Sequence, residues 1–418
     1  MGLKRIAFIS VHTSPLAPMG GKKTGGMNVY IRELSQELGK QGYLIDIFTR
    51  RSSTDEPEVD YGIGENVRVI YLNAGTMTSL TPDEHYQHLS EFTANLIAYA
   101  TRHNIQYDVI YSHYWLSGWV AAKLKEAWGI KFVHMFHTLG HMKRRIHDSQ
   151  FYAPDIRIST EALVIEWADR IIAATLAEHA QLLWLYRADR RKIEIIPPGV
   201  NTAHFEDVLP PEQAKQALGI DPKSSLLLFV GRIEPLKAID TIFEALYVMR
   251  DKSPKLLRKL RFMIVGGDLT DTNDIEMKRL QDMSIEFGID HIVDFVGSKE
   301  QSELPIYYSA ATAVIMPSDY ESFGMVALEA MATGTPVIAS QVGGLAFLVR
   351  DKETGFHIPA REPISLADGI ISLLSNKHQT QEMGISASRV AKDYTWSTIA
   401  NRLLQVFSKI TTKMPCSV

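Results

Sequence analysis

Glu321 and Glu329, in the stretch Glu321-Ser-Phe-Gly-Met-Val-Ala-Leu-Glu329, are two carboxylates eight residues apart across a strand-to-helix junction. Ala313 to Pro317 reads as a short buried strand, Ser318 to Phe323 as a loop, and Gly324 onward as a helix rich in Ala, Leu and Met. Glu321 then stands at the helix mouth and Glu329 about two turns in. The first N–H groups of a helix lack intrahelical partners and carry partial positive charge, so the turn through Phe323, Gly324, Met325 and Val326 favours a pyrophosphate. One carboxylate can orient a sugar through its hydroxyls while the other takes ribose hydroxyls. A nucleotide-sugar satisfies all three features at once.

Transfer from such a donor requires positive charge against the departing diphosphate. Metal-dependent transferases supply it with an Asp-x-Asp-bound cation. The nearest candidate here, Asp268-Leu-Thr-Asp271-Thr-Asn-Asp274, has the wrong spacing, so no metal and no other cofactor is expected. Gly231-Arg232-Ile-Glu-Pro-Leu-Lys237 follows an apolar run ending at Val230 and offers two cations at a strand end. Arg232 and Lys237 are the expected diphosphate ligands. Gly25 and Gly26 lie between the first apolar run and the first helical stretch, where backbone amides can approach the same diphosphate or the acceptor. Gly26 is assigned to the donor and Gly25 to the acceptor. No full G-x-G-x-x-G follows, which counts against a dinucleotide oxidoreductase.

These residues need rigid elements behind them. Ile6 to Ser10, Leu44 to Thr49, Val67 to Leu72, Val109 to Ser112, Lys131 to Phe136 and Arg170 to Ala174 are short apolar runs with helical stretches between several of them. That rhythm predicts a doubly wound α/β domain. Ile193-Glu-Ile-Ile-Pro197-Pro198-Gly199 breaks it. Leu226 to Val230, Arg261 to Val265, Ile292 to Val296, Ala313 to Met316 and Val337 to Ala339 then repeat it, and Gln379 to Ile410 is helical by period. The expected organisation is a first Rossmann-like domain over 1–196, a second over 197–385, and a helical segment over 386–418.

A chain of 418 residues with 45% apolar and 22% charged residues is a folded, two-core protein. A net charge of −4 argues against a general nucleic-acid binder and against stable membrane association. The single cysteine, Cys416, leaves no internal disulfide and fits a reducing compartment. The apolar run near Met1 is too short for an export signal, and Ile6 fails the myristoylation pattern that Met-Gly begins, so a cytoplasmic home is expected.

The glutamate pair, with Gly334-Thr-Pro-Val-Ile-Ala, Gly343-Gly344 and the Gly-Arg-x5-Lys segment, resembles the retaining GT-B glycosyltransferases, in the large family that includes sucrose and sucrose-phosphate synthases. The resemblance implies two facing Rossmann-like domains with a cleft between them, terminal helices crossing back onto the first domain, and a UDP-sugar as substrate. His137-Thr138-Leu139-Gly140-x-x-Lys143 and Arg157-Ile-x-x-Glu161 are similar to segments of those synthases. Carried over, His137 contacts the transferred sugar, while Lys143 and Arg157 hold an acceptor phosphate. The planar fork of arginine suits that task, since it bonds two phosphate oxygens at once. With Glu321, Arg232 and Lys237, His137 completes the expected catalytic set.

Over nearly its full length the chain also resembles the bacterial glycosyltransferases that start mycothiol synthesis by moving N-acetylglucosamine onto inositol 1-phosphate. His12-Thr-Ser-Pro15, Gly25 to Tyr30, and Ser112-His-Tyr114-Trp-Leu-Ser-Gly118 carry that likeness, which implies acceptor-phosphate contacts for Tyr114 and Thr138. Those enzymes place a phosphate-binding lysine after a Leu-Ser pair, where this chain has Leu80-Thr81-Pro82-Asp83. That departure and Gly140 favour the synthase side. The expected reaction is glucose transfer from UDP-glucose to fructose 6-phosphate, giving sucrose 6-phosphate and UDP, with the inositol-phosphate reaction as the alternative. A non-catalytic two-lobe sugar-binding protein is the reading from a different class.

Overall fold

The computed structural model describes residues 3–17, 25–145, 155–206 and 208–411; Cys416 and the Met-Gly start lie outside them. Two compact units emerge from the contacts. The first holds 3–17, 26–199 and the chain from Trp396 onward, and the second holds Gly25 with Val200–Thr395.

The first unit is built on eight strands: β1 (Arg5–Ile9), β2 (Leu44–Arg50), β3 (Val59–Gly64), β4 (Val67–Leu72), β5 (Val109–His113), β6 (Lys131–Met135), β7 (Arg170–Ala173) and β8 (Ile193–Ile195). They form one sheet in the order β3-β4-β2-β1-β5-β6-β7-β8, parallel except where β3 meets β4. Ile6, Ala7, Phe8 and Ile9 of the central strand are wholly buried, as a parallel strand covered on both faces by helices must be. β3 escapes the sequence reading because Val59-Asp-Tyr-Gly-Ile-Gly64 is half-exposed and carries two glycines. It is an edge strand returning antiparallel through a tight turn in which Asn66 adopts φ of 61°.

The second unit has six strands, all parallel: β9 (Ser225–Val230), β10 (Leu260–Val265), β11 (Val293–Gly297), β12 (Ala313–Met316), β13 (Val337–Ser340) and β14 (Gly355–Ile358). Their order is β11-β10-β9-β12-β13-β14, which in chain sequence is 3-2-1-4-5-6. β14, a short edge strand of Gly-Phe-His-Ile, is the strand that the apolar runs do not reveal. In each sheet the topology reverses beside its first strand, between β1 and β5 and between β9 and β12. Doubly wound sheets bind ligands outside the carboxyl ends of the strands at such reversals.

The expected single helical stretch at the C-terminus is two helices, Lys377–Ala391 and Trp396–Thr411, separated by a short turn at Lys392–Tyr394. Met383, Gly384, Ala387, Val390 and Ala391 are buried, and the Lys377–Ala391 helix packs on the Met325–Ala332 helix of the second unit, so 386–395 stay with that unit. Trp396, Ile399, Ala400, Leu403, Val406 and Phe407 form the buried stripe of the last helix, which lies on the Gly26–Lys40 helix of the first unit. Each fully buried large apolar side chain there contributes about 1.5–3 kcal/mol. Within the second unit, Val200 N–H donates to Tyr394 O at 2.7 Å. No helix among the described residues is long and apolar enough to cross a membrane.

Glu178 is a buried acid at the carboxyl edge of the first sheet. Thr175 caps the Leu176–Tyr186 helix by accepting from Glu178 N–H, and the Glu178 carboxylate accepts from Ala174 N–H at 2.7 Å. Its other oxygen, Oε1, has no hydrogen-bond partner. Burial pushes its pKa up to about 7, against the pull of the Ala174 amide. The folded chain therefore holds a proton that the unfolded chain releases near 4.5, and stability is lost as pH rises through 7. The full effect is of order 3 kcal/mol above pH 7. Glu178→Gln is expected to melt several degrees higher than the parent at pH 8, with the gap closing toward pH 5. Melting curves with a pH-independent gap, or none, would contradict this.

Candidate active site

The residues expected to hold the donor converge at the reversal point of the second sheet. Arg232 and Lys237 follow β9, and Glu321 follows β12. Lys237 Nζ and Glu321 Oε2 are 2.6 Å apart, both largely buried. Asp319 N–H donates to Leu236 O at 2.9 Å and joins the two loops. Arg232 is more open and pairs with Glu234 at 2.7 Å. A methyl group built on Gly25, expected with the acceptor, would lie 4.0 Å from Arg232 Nε of the same unit. Gly26 opens the Gly26–Lys40 helix of the first unit.

The Met325–Ala332 helix starts at Gly324, whose φ of 106° suits glycine, and no side chain caps it. The amides of Met325 and Val326 are thereby left to meet an anion. Phe323 is buried and packs near Tyr394, so only its backbone is left for the donor role expected of it. Gly343 explains the Gly-Gly pair: an added Cβ would fall 1.8 Å from Glu321 O, and Gly344 N–H donates to that same oxygen at 3.0 Å. Glu329 is one turn into the helix rather than two. It is buried, accepting from Tyr308 Oη at 2.7 Å and Gln301 Nε2 at 3.2 Å. The aspartates of 268–274 serve as turn and cap residues: Asp268 accepts from Thr270 N–H and Asp274 from Met277 N–H. Among the described residues no cluster of His, Cys, Asp and Glu could hold a metal ion.

Sequence reasoning missed Arg361. Its guanidinium reaches Asp240 at 2.8 Å, Asp319 at 2.6 Å and Pro235 O at 3.0 Å, bracing the loops that carry Lys237 and Glu321. No motif surrounds it, and its partners are 42 to 126 residues away.

The acceptor residues gather in the first unit. Arg157, 4% exposed, donates through Nη2 to Thr138 O at 2.8 Å and Thr138 Oγ1 at 3.0 Å, and through Nη1 to Tyr114 Oη at 3.2 Å. Its guanidinium lies 4.9 Å from the centre of the Tyr114 ring, and Tyr114 stacks at 4.3 Å on His12. Burial works against the Arg157 charge, but Tyr114, Glu161 and Tyr186 outweigh it and hold its pKa above the ordinary value. Lys143 rides on the short Gly140–Arg144 helix beside this cluster.

His137 follows β6 with φ of 60°. Its Nε2 is 3.1 Å from Nδ1 of His113, and its ring is 5.2 Å from that of Tyr30. Burial pushes His137 down to about 3, so it is neutral at physiological pH and can offer a hydrogen bond but no charge. His113, which orients it, was not singled out by sequence. His134 instead faces Ser112 Oγ at 2.8 Å and belongs to the core.

Two family models cover most of the chain: "Glycosyltransferase Family 4" matches residues 24–204 and "Glycosyl transferases group 1" matches residues 211–390. The D-inositol 3-phosphate glycosyltransferase of Kineococcus radiotolerans is 36% identical over 97% of this chain and 95% of its own length. The enzyme of that name from Nocardioides is 37% identical over 97% and 90%. Among solved structures, the sucrose-phosphate synthase of Thermosynechococcus elongatus superposes with a TM-score of 0.87 at 32% identity, covering 97% of this chain and 98% of that one. Anabaena HepE with UDP and glucose matches in fold, with a TM-score of 0.76 at 19% identity over 97% and 100% of the two chains. The chain therefore belongs to the group 1 glycosyltransferases, enzymes of the GT-B fold.

Proposed function

We propose that this enzyme transfers a sugar from a UDP-sugar to a phosphorylated cyclitol, D-inositol 3-phosphate foremost, with retention of anomeric configuration and without a metal. This reverses the order reached from motifs alone, where fructose 6-phosphate came first. Near-full-length identity to the named inositol-phosphate enzymes supports the change.

The observation that carries a phosphorylated acceptor is the hydrogen-bond arrangement around Arg157. Of its five N–H groups, one goes to Glu161, two to Thr138 and one to Tyr114, leaving one on Nη1 with no acceptor among the described residues. The Tyr114 and Thr138 hydroxyls accept from the guanidinium and so keep their own hydrogens to donate. Three donors on one positively charged scaffold suit a phosphate far better than a neutral hydroxyl. Fructose 6-phosphate remains the second reading, because the exposed Asp83 on the first turn of the Pro82–Gln87 helix adds negative charge where the mycothiol-type enzymes have a lysine.

In the reaction the bond between the anomeric carbon and the diphosphate oxygen breaks while the acceptor oxygen bonds to that carbon on the same face. The acceptor proton passes to the leaving phosphate oxygen. Lys237, Arg232 and the start of the Met325–Ala332 helix stabilise the developing charge, Glu321 orients the sugar, and Glu329 takes the ribose. His137 contacts the transferred sugar as a neutral donor or acceptor. UDP is the expected nucleotide product, with Lys237 and Arg232 supplying positive charge where a metal otherwise would.

UDP release should be measured for UDP- and ADP-linked glucose and N-acetylglucosamine against D-inositol 3-phosphate, fructose 6-phosphate and their unphosphorylated forms. Turnover confined to the unphosphorylated acceptors would refute the reading, as would loss of activity in chelator that manganese restores. Lys237→Ala is expected to lower kcat about 100-fold. Glu321→Gln should reduce kcat far more than donor affinity, and an unchanged kcat would remove Glu321 from the site. Arg157→Ala is expected to raise KM for the phosphorylated acceptor about 10–100-fold, with donor KM steady. An equal loss on the donor side would contradict its assignment.

A further inference from the structure

Glu161 is wholly buried on the Asp155–Trp167 helix, and its two oxygens are saturated. Oε1 accepts from Arg157 Nε at 2.8 Å, both oxygens accept from Gly140 N–H at 3.1 and 2.9 Å, and Oε2 also accepts from Tyr186 Oη. Tyr186 Oη in turn accepts from His141 N–H at 3.2 Å. A carboxylate so fully engaged has no lone pair left for substrate and no free position from which to take a proton. Its action must pass through the groups it holds.

Those groups are the two phosphate-directed cations. Through Nε, Glu161 fixes the rotation of the Arg157 fork, so that Nη1 and Nη2 turn toward Tyr114 and Thr138. Through Gly140 N–H, and with Tyr186 through His141 N–H, it pins the first turn of the Gly140–Arg144 helix, which carries Lys143. Gly140 is required for this, since an added Cβ would sit 2.9 Å from Glu161 Oε2 and 2.9 Å from Ile158 Cγ1. The carboxylate also offsets the guanidinium charge in a site where an unpaired buried cation would be costly.

We propose that Glu161, seconded by Tyr186, is the positioning residue that sets Arg157 and the Lys143-bearing turn in register, and so determines selection of phosphorylated acceptors. This rests on the phosphate-acceptor reading above. Positioning and simple charge make opposite forecasts for Glu161→Gln. The isostere keeps an acceptor for Arg157 Nε but sets an NH2 group against Gly140 N–H or Tyr186 Oη, loosening the turn. If charge alone mattered, neutralising Glu161 would strengthen anion binding.

The test uses the full chain and inorganic phosphate as a probe, titrated calorimetrically, together with acceptor kinetics on D-inositol 3-phosphate. For Glu161→Gln we expect phosphate affinity to fall at least tenfold and acceptor KM to rise by a similar factor, with kcat and donor KM within threefold of the parent. Tyr186→Phe should move both in the same direction by a smaller factor, and it carries the test if Glu161→Gln does not fold. Phosphate affinity within twofold of the parent in the folded variants, or tighter, overturns the proposal. Arg157→Ala separates the two levels: if it weakens phosphate binding and the Glu161 and Tyr186 variants do not, the positioning role alone fails. If the parent binds no phosphate, or Arg157→Ala changes nothing, the acceptor reading fails with it.

Discussion

A parallel sheet delivers the carboxyl ends of all its strands to one edge, and every candidate residue in this protein depends on that constraint. β9 and β12 are neighbours whose following connections leave in opposite directions, so Lys237 and Glu321, 84 residues apart in sequence, meet at 2.6 Å. β5 and β6, adjacent and parallel, bring Tyr114 and Thr138 to one edge of the sheet in the other unit, where each meets Arg157. The buried apolar strands supply the rigidity, and the loops at their ends supply the chemistry.

Each unit then manages charge by the same means. A cation placed for a phosphate has to survive without it, and both principal cations have a carboxylate in hand: Lys237 has Glu321, and Arg157 has Glu161. The two pairs differ in what the carboxylate can still do. Glu321 keeps some exposure, and its carboxylate pairs with Lys237 through Oε2. Glu161 is sealed and fully bonded, so it shapes its partner rather than touching substrate. Buried pairs of this kind contribute little net stability. Their worth lies in holding a fork or an ammonium in one orientation.

Most of the strands, the helix start at Gly324 and the charged residues Lys237 and Glu321 were legible because each is written locally: a continuous apolar run, a glycine at a strand end, charges at fixed offsets; the pairing of Lys237 with Glu321 was not. β3 and β14 were not, since edge strands need bury only part of their surface and carry polar residues and glycine. Arg361 and Tyr186 were invisible for another reason. Their partners are distant in sequence, and nothing near an isolated arginine or tyrosine distinguishes a brace from a solvated side chain. The break between the two C-terminal helices was hidden as well, because both helices keep an apolar stripe and the turn at Lys392–Tyr394 contains neither Gly nor Pro.

Acceptor choice is where whole-chain likeness and local chemistry pull apart. Any acceptor would need the strands and packing helices, whereas discrimination between a cyclitol phosphate and a ketose phosphate rests on a handful of side chains. In the segment at 80–88, Thr81 and Glu84 cap each other across the start of the Pro82–Gln87 helix, Asp83 is exposed, and the buried His85 lies 6.4 Å from His12, whose ring lies tilted 4.3 Å from that of Tyr114. On the proposed reading, a phosphate at Arg157 and Tyr114 has the His12 ring beside Tyr114. Imidazole carries at most two N–H donors where an ammonium carries three. On the proposed reading, anion recognition then falls to Arg157 and the turn bearing Lys143, and hence to the carboxylate that holds them.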